Sequence, residues 1–104
     1  MRKLIRDSIP SLIMGEKNQN MSKTLEGIRK MSGWEYEYAL QLKLNEEWAE
    51  FWAKPSAEEL GDCLEVLRAA AYNAGIHWDD VEKECDLKRK TRGGFLQGWE
   101  LSKR

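Results

Sequence analysis

Apolar residues recur at helical spacing through most of the chain, and three amphipathic stretches account for the pattern. In the longest, Tyr36, Leu40, Leu44, Trp48 and Phe51 fall on one stripe at about 100° per residue, which predicts a helix with one buried face. Ser32 followed by Glu35 reads as a capping box that starts it: the serine hydroxyl accepts from the backbone N–H three residues on, and the glutamate reaches back. The helix must stop near Lys54, because a residue before proline, here Pro55, is disfavoured in the α region. Ser56 and Glu59 form a second capping box, and Leu60, Cys63, Leu64, Val66, Leu67, Ala70 and Ala71 carry the next stripe to a stop at Gly75. A third helix is predicted from about His77, where Asp79 and Asp80 suit the positive end of the dipole, to just before Gly93 and Gly94. Trp78, Val81 and Cys85 share one face of it, which continues through Lys88 and Arg92.

The flanking segments carry less pattern. Ser8 suits the cap of a short helix running to Met14, with Pro10 tolerated in its first turn. Residues 15–23, with Gly15, Asn18, Asn20 and Ser22, read as a polar loop, and residues 24–31 have weak helical character interrupted by Gly27. The glycine-rich tail carries Phe95 and Trp99, expected to anchor it against the bundle or a second subunit. No internal repeat and no strand alternation stand out, so the expected class is all-α, an antiparallel helical hairpin within a small helical bundle.

Composition narrows this picture. A chain of 104 residues suits a single domain, 1–104, with one modest core. That core is too small to cover all the Trp and Tyr residues, so a homo-oligomer, dimer or tetramer, is expected to bury them. Charged residues make up 34% of the chain, yet they nearly cancel to a net charge of -1, so no single-sign field draws it to a nucleic acid polymer or an acidic membrane. No run approaches the roughly 20 apolar residues of a membrane span, and the basic start is broken by Arg6, Asp7 and Pro10, unlike a signal peptide. A soluble cytoplasmic protein is the expectation, with Cys63 and Cys85 as small buried hydrophobes rather than a disulfide. His77 has no Cys or His at a metal-ligand spacing and receives no catalytic role, and the five tryptophans are better read as core or interface residues than as stacking platforms.

The informative chemistry is acidic. Glu47 with Glu50, and Glu59 with Asp62, are two i,i+3 carboxylate pairs on either side of the turn at Pro55. One such pair is ordinary on a solvated helix face, but here Glu47 and Glu59 fall inside apolar stripes and Glu50 on the edge of one. In a tight antiparallel hairpin Glu50 faces Glu59 and Glu47 faces Asp62, so the four acids converge. Burying ionised groups without a partner costs several kcal/mol. A hard divalent cation removes that cost, and Mg2+, with Mn2+ as a substitute, binds a few carboxylate oxygens and completes its octahedron with water or substrate phosphate. Glu46, Glu58 and Glu65 point to the outer faces. Asn73 shares a flank with Asp62, where a ligand contact and a helix-end polar contact are equally open to it.

Three motifs in order carry a family resemblance. The chain opens with Lys3-Leu4-Ile5-Arg6-Asp7-Ser8-Ile9-Pro10, continues with Glu46-Glu47-Trp48-Ala49-Glu50-Phe51 and Glu58-Glu59-Leu60-Gly61-Asp62-Cys63-Leu64-Glu65-Val66, and closes with Arg92-Gly93-Gly94-Phe95. It resembles the MazG-like all-α nucleoside triphosphate pyrophosphohydrolases, in the small branch with a K-L-V-R-D-K-I-P start and an R-G-G-F close. The resemblance spans nearly the whole chain except residues 15–35. It implies packed helices completed by oligomerisation, and Mg2+-dependent cleavage between the α and β phosphates to give a nucleoside monophosphate and pyrophosphate. It assigns Glu47, Glu50, Glu59 and Asp62 to metal, with Glu50 or Glu47 as the catalytic carboxylate and Glu50 preferred for its position nearer solvent. Lys88 and Arg92 match the basic positions expected near phosphates; a basic last turn also complements the helix dipole. Ser8 departs from the usual lysine, Gly61 from the common alanine, and the segment between the acidic pairs is short. Two other readings stand beside this one: a phosphoribosyl-ATP pyrophosphohydrolase-like enzyme, and a non-catalytic helical scaffold or nucleotide-binding protein.

Overall fold

A computed structural model describes residues 3–14 and 27–102, and the described residues are all-α: helices α1 (Ile9–Met14), α2 (Gly33–Ala53), α3 (Ala57–Asn73) and α4 (Trp78–Arg92), with no strand among them. The polar loop expected over 15–23 and the start of the weak helix expected over 24–31 lie outside the described residues. Its remainder is not helical: Gly27 takes φ +85°, in the left-handed region that glycine tolerates, and residues 27–32 contain no helix. The chain forms two compact units, Met1–Ala70 and Ala71–Arg104, the boundary falling inside α3. No described helix is long and apolar enough to cross a membrane.

In the first unit, α1 starts where expected. The Leu12 N–H donates to the Ser8 carbonyl at 3.0 Å, and the Ile9 N–H to the Arg6 carbonyl at 3.0 Å, which fixes the backbone of the lead segment against the helix. The start of α2 differs from its sequence reading. Ser32 makes no side-chain capping bond, and Gly33, next in the chain, has φ +60°. Glu35 does not reach back to Ser32; its carboxylate is gripped by both terminal nitrogens of Arg29, one bond measuring 2.9 Å. A charge-assisted bidentate pair is stronger than a neutral cap bond, so the arginine takes the glutamate and the capping box does not form. The far end behaves as the proline requires: Lys54 leaves the helical region, with its N–H still donating to the Glu50 carbonyl at 3.0 Å. After the three residues 54–56, Ser56 does cap α3, its Oγ accepting from the Glu59 N–H at 3.1 Å.

The internal core is small. Among the described residues of the first unit, Leu40 and Cys63 are the buried apolar ones, and Glu47 is buried with them. Tyr36, Leu44 and Phe51 of the predicted α2 stripe are half-buried, whereas Trp48 remains 49% exposed. Across from it Leu60, Leu64 and Leu67 of α3 are also more than 40% exposed. These side chains, with Leu44, Asn45 and Cys63, line an apolar cleft of about 470 Å³. Trp48 stacks on Phe51 with centroids 5.7 Å apart, and Trp52 meets both rings edge-on. Gly61 faces open space, where an added Cβ would meet nothing within 4 Å, so it does not serve close helix packing.

In the second unit α3 ends in a Schellman motif. Gly75, at φ +75°, donates to the Tyr72 carbonyl at 3.1 Å and Ile76 to the Ala71 carbonyl at 2.9 Å, satisfying carbonyls that the helix end would otherwise leave bare. Helix α4 starts after His77 and ends at Gly93, as its charge pattern and glycines predict. Trp78 and Val81 are half-buried, but Cys85 is exposed, which corrects its reading as a buried hydrophobe. Arg89 donates to Asp86 and Cys85 along its own helix face, so that face is polar at the cysteine. Phe95 and Trp99 are 98% and 90% exposed and anchor nothing within the chain.

Three substitutions, at the starts of α2 and α3 and inside α3, test this account by urea unfolding. Ser56→Ala removes a formed cap and lowers stability by about 1 kcal/mol, while Ser32→Ala changes it by less than about 0.5 kcal/mol. Gly61→Ala raises stability by up to about 1 kcal/mol, because the helix gains propensity and the methyl meets nothing.

Candidate metal centre

The carboxylates of Glu47 and Glu50, from α2, and Glu59, from α3, come together. One oxygen of each lies within 4.8 Å of the others, with Glu47 buried, Glu59 half-buried and Glu50 exposed. Local sequence sets each position. Glu47 is three residues after Leu44 and seven after the buried Leu40, so it shares the inward stripe of α2; Glu50 is one turn further on. Glu59 is the third residue of α3, where the Ser56 cap fixes its backbone. Its carboxylate makes no return bond to Ser56 and faces the other two acids instead.

Electrostatics show how crowded the cluster is. The Glu47 charge, then partial desolvation, a hydrogen bond with Glu47 and the charges of Glu59 and Glu46 push the Glu50 carboxyl above its ordinary value. Glu47 Oε2 and Glu59 Oε2 are closed off from solvent and have no hydrogen-bond partner. Such unpaired buried oxygens are rare in folded proteins and carry the full desolvation penalty. The other oxygen of Glu47, Oε1, is met by Lys43 Nζ at 3.2 Å, and the same ammonium lies 3.5 Å from Glu46 Oε1. Partial burial would by itself depress the Lys43 ammonium, but the bond to Glu47 and the charges of Glu46 and Glu47 outweigh it and hold it above its ordinary value.

Cys63 sits beside the acids on α3. Burial first, then the charges of Glu47, Asp62 and Glu59, push its thiol up, so it stays protonated and the donor set is oxygen. Three carboxylates with two unpartnered buried oxygens suit a hard divalent cation such as Mg2+ or Mn2+ better than a thiophilic metal.

The fourth predicted acid is engaged elsewhere. Asp62, one turn beyond Glu59, accepts from Arg6 Nη2 at 2.5 Å and is not among the three converging carboxylates. Asn73, Lys88 and Arg92 belong to the second unit and are exposed, and neither Lys88 nor Arg92 makes an ion pair among the described residues. Glu58 and Glu65 are exposed as expected; Glu46 is half-buried, drawn in by Lys43. Sequence reasoning missed Lys43 and Arg6. Lys43 was legible as the i+3 neighbour of Leu40 and the i,i+4 partner of Glu47. Arg6 has no local signal, since its partner is 56 residues away.

Compared with protein-family models, with curated proteins and with solved structures, the chain gives no match.

The raised Glu50 carboxyl makes stability fall as pH rises. The unfolded chain holds Glu50 at its ordinary value of 4.5, so its protonated form stabilises the fold fully below that pH, and the contribution is lost as pH climbs through the higher folded value. In the presence of a chelator, Glu50→Gln is therefore more stable than wild type at pH 7 and matches it below pH 4.5. Urea midpoints measured across that range check both limbs.

Proposed function

We propose that the carboxylate cluster holds Mg2+ and that the protein is a nucleoside triphosphate pyrophosphohydrolase, cleaving between the α and β phosphates to release a nucleoside monophosphate and pyrophosphate. The observation that carries the reading is the convergence of Glu47, Glu50 and Glu59 with two of their buried oxygens unpaired. The motif order that resembles the MazG-like enzymes supports the reaction class. In this reading α2 and α3 form an antiparallel hairpin with the acids beside its turn. Glu47 and Glu59 supply the inner ligands, and Glu50, at the exposed edge, faces the substrate.

Bound there, Mg2+ would neutralise the carboxylates, polarise a phosphoryl oxygen and acidify a coordinated water. Glu50 is the carboxylate best suited to receive the water's proton, because it is the exposed member of the cluster and a water can reach it. Attack by such a water would form the new bond to phosphorus while the bridging P–O bond breaks and its electron pair leaves on the departing group, the water's proton going to the Glu50 carboxylate. Lys43 holds Glu47 in place from the protein side. Lys88, Arg92 and Asn73 remain candidate phosphate or nucleotide contacts.

Oligomerisation belongs to the same proposal. Trp48, Leu60, Leu64 and Leu67 leave an apolar surface beside the acids that a second copy would cover. Equilibrium sedimentation is expected to give a dimer or tetramer, and Trp48→Glu to shift it toward monomer; a wild-type monomer at micromolar concentration would remove this part.

The reaction itself is tested by Mg2+-dependent pyrophosphate release over a panel of ribo- and deoxynucleoside triphosphates, with phosphoribosyl-ATP included. At least one substrate turns over, chelation stops it, and Glu50→Gln lowers kcat by a hundredfold or more while far-UV circular dichroism is unchanged. Silence across the panel with metal bound would instead indicate a nucleotide-binding protein without turnover.

A further inference from the structure

The contact between Arg6 and Asp62 joins an exposed guanidinium to a half-buried carboxylate, their side chains 60% and 29% exposed. It brings the lead segment, 56 residues distant in sequence, to the helix turn that follows Glu59. Residues one turn apart on a helix have Cβ atoms about 5–6 Å from each other, so the Arg6 head is held at the margin of the carboxylate cluster. The Arg6 backbone is fixed as well, because its carbonyl accepts from the Ile9 N–H at the start of α1.

Among the other basic residues of this unit, Lys43 is committed to Glu46 and Glu47 and is only 18% exposed, and Arg29 gives both terminal nitrogens to Glu35. Arg6 differs. It bonds Asp62 through one terminal nitrogen and keeps the remaining donors of its fork open to solvent. A guanidinium anchored at one corner and open at the others is preorganised to take a phosphate oxygen pair.

We propose that Arg6 is a phosphate-binding cation of the carboxylate site and that Asp62 is a positioning residue that aims it, rather than a ligand of the metal. This rests on reading the Glu47, Glu50 and Glu59 cluster as a Mg2+ site for a triphosphate chain. Divalent cation and polyphosphate then bind side by side, the cation on the three glutamates and the phosphates on Arg6.

Two measurements on the full chain test it. Mn2+ binding followed by electron paramagnetic resonance reads the metal site, and calorimetric titration with Mg2+–tripolyphosphate reads the phosphate site. Arg6→Ala is expected to weaken tripolyphosphate about tenfold or more, and Asp62→Asn to weaken it to a similar extent. The double variant should be no weaker than Arg6→Ala, and Arg6→Lys should fall between it and wild type. All four should retain wild-type Mn2+ affinity within about twofold. Unchanged tripolyphosphate affinity in Arg6→Ala, or loss of Mn2+ in Asp62→Asn, overturns this assignment while leaving the metal site standing. If the wild-type chain binds no Mn2+, the cluster reading itself fails, and this inference with it.

Discussion

Repulsion among Glu47, Glu50 and Glu59 is the constraint around which the first unit is arranged. Their oxygens crowd within 4.8 Å, and two of them, Glu47 Oε2 and Glu59 Oε2, are buried with no hydrogen-bond partner. A fold ordinarily avoids this, since each unpaired buried oxygen weakens it by something like 1–3 kcal/mol. Leu40 and Cys63, the buried apolar residues of the unit, are small compensation.

The cations near the acids divide by burial. Lys43 is drawn in among the helices, and its ammonium meets Glu46 and Glu47 there. Arg6 stays outside, meets Asp62 with a single bond, and keeps most of its donors free. The first arrangement is structural compensation, the second the geometry of recognition. A compact ammonium suits the enclosed position, and a planar fork suits the open one.

Helix limits were legible wherever a local chemical rule acted without competition. Pro55 stops α2, Ser56 caps α3, Gly75 closes it and Gly93 ends α4, all as read. Ser32 shows where such rules fail: Glu35 had a stronger partner in Arg29, a pairing that spacing alone does not favour over the cap. Cys85 failed for another reason. Periodicity reports which residues share a helix face but not whether anything packs on it, and Cys85 is exposed.

By itself, then, the sequence determined the all-α class, the helix ends and the phasing that sets Glu47, Glu50 and Glu59 toward one place, because these follow from covalent geometry and a 3.6-residue repeat. Tertiary structure alone decided which carboxylates actually meet. The four acids at the turn look equivalent in the chain, but Asp62 lies within reach of Arg6 and is taken out of the group. Charged groups pair with whatever the fold brings within a few ångströms, and that distance is not written in local spacing.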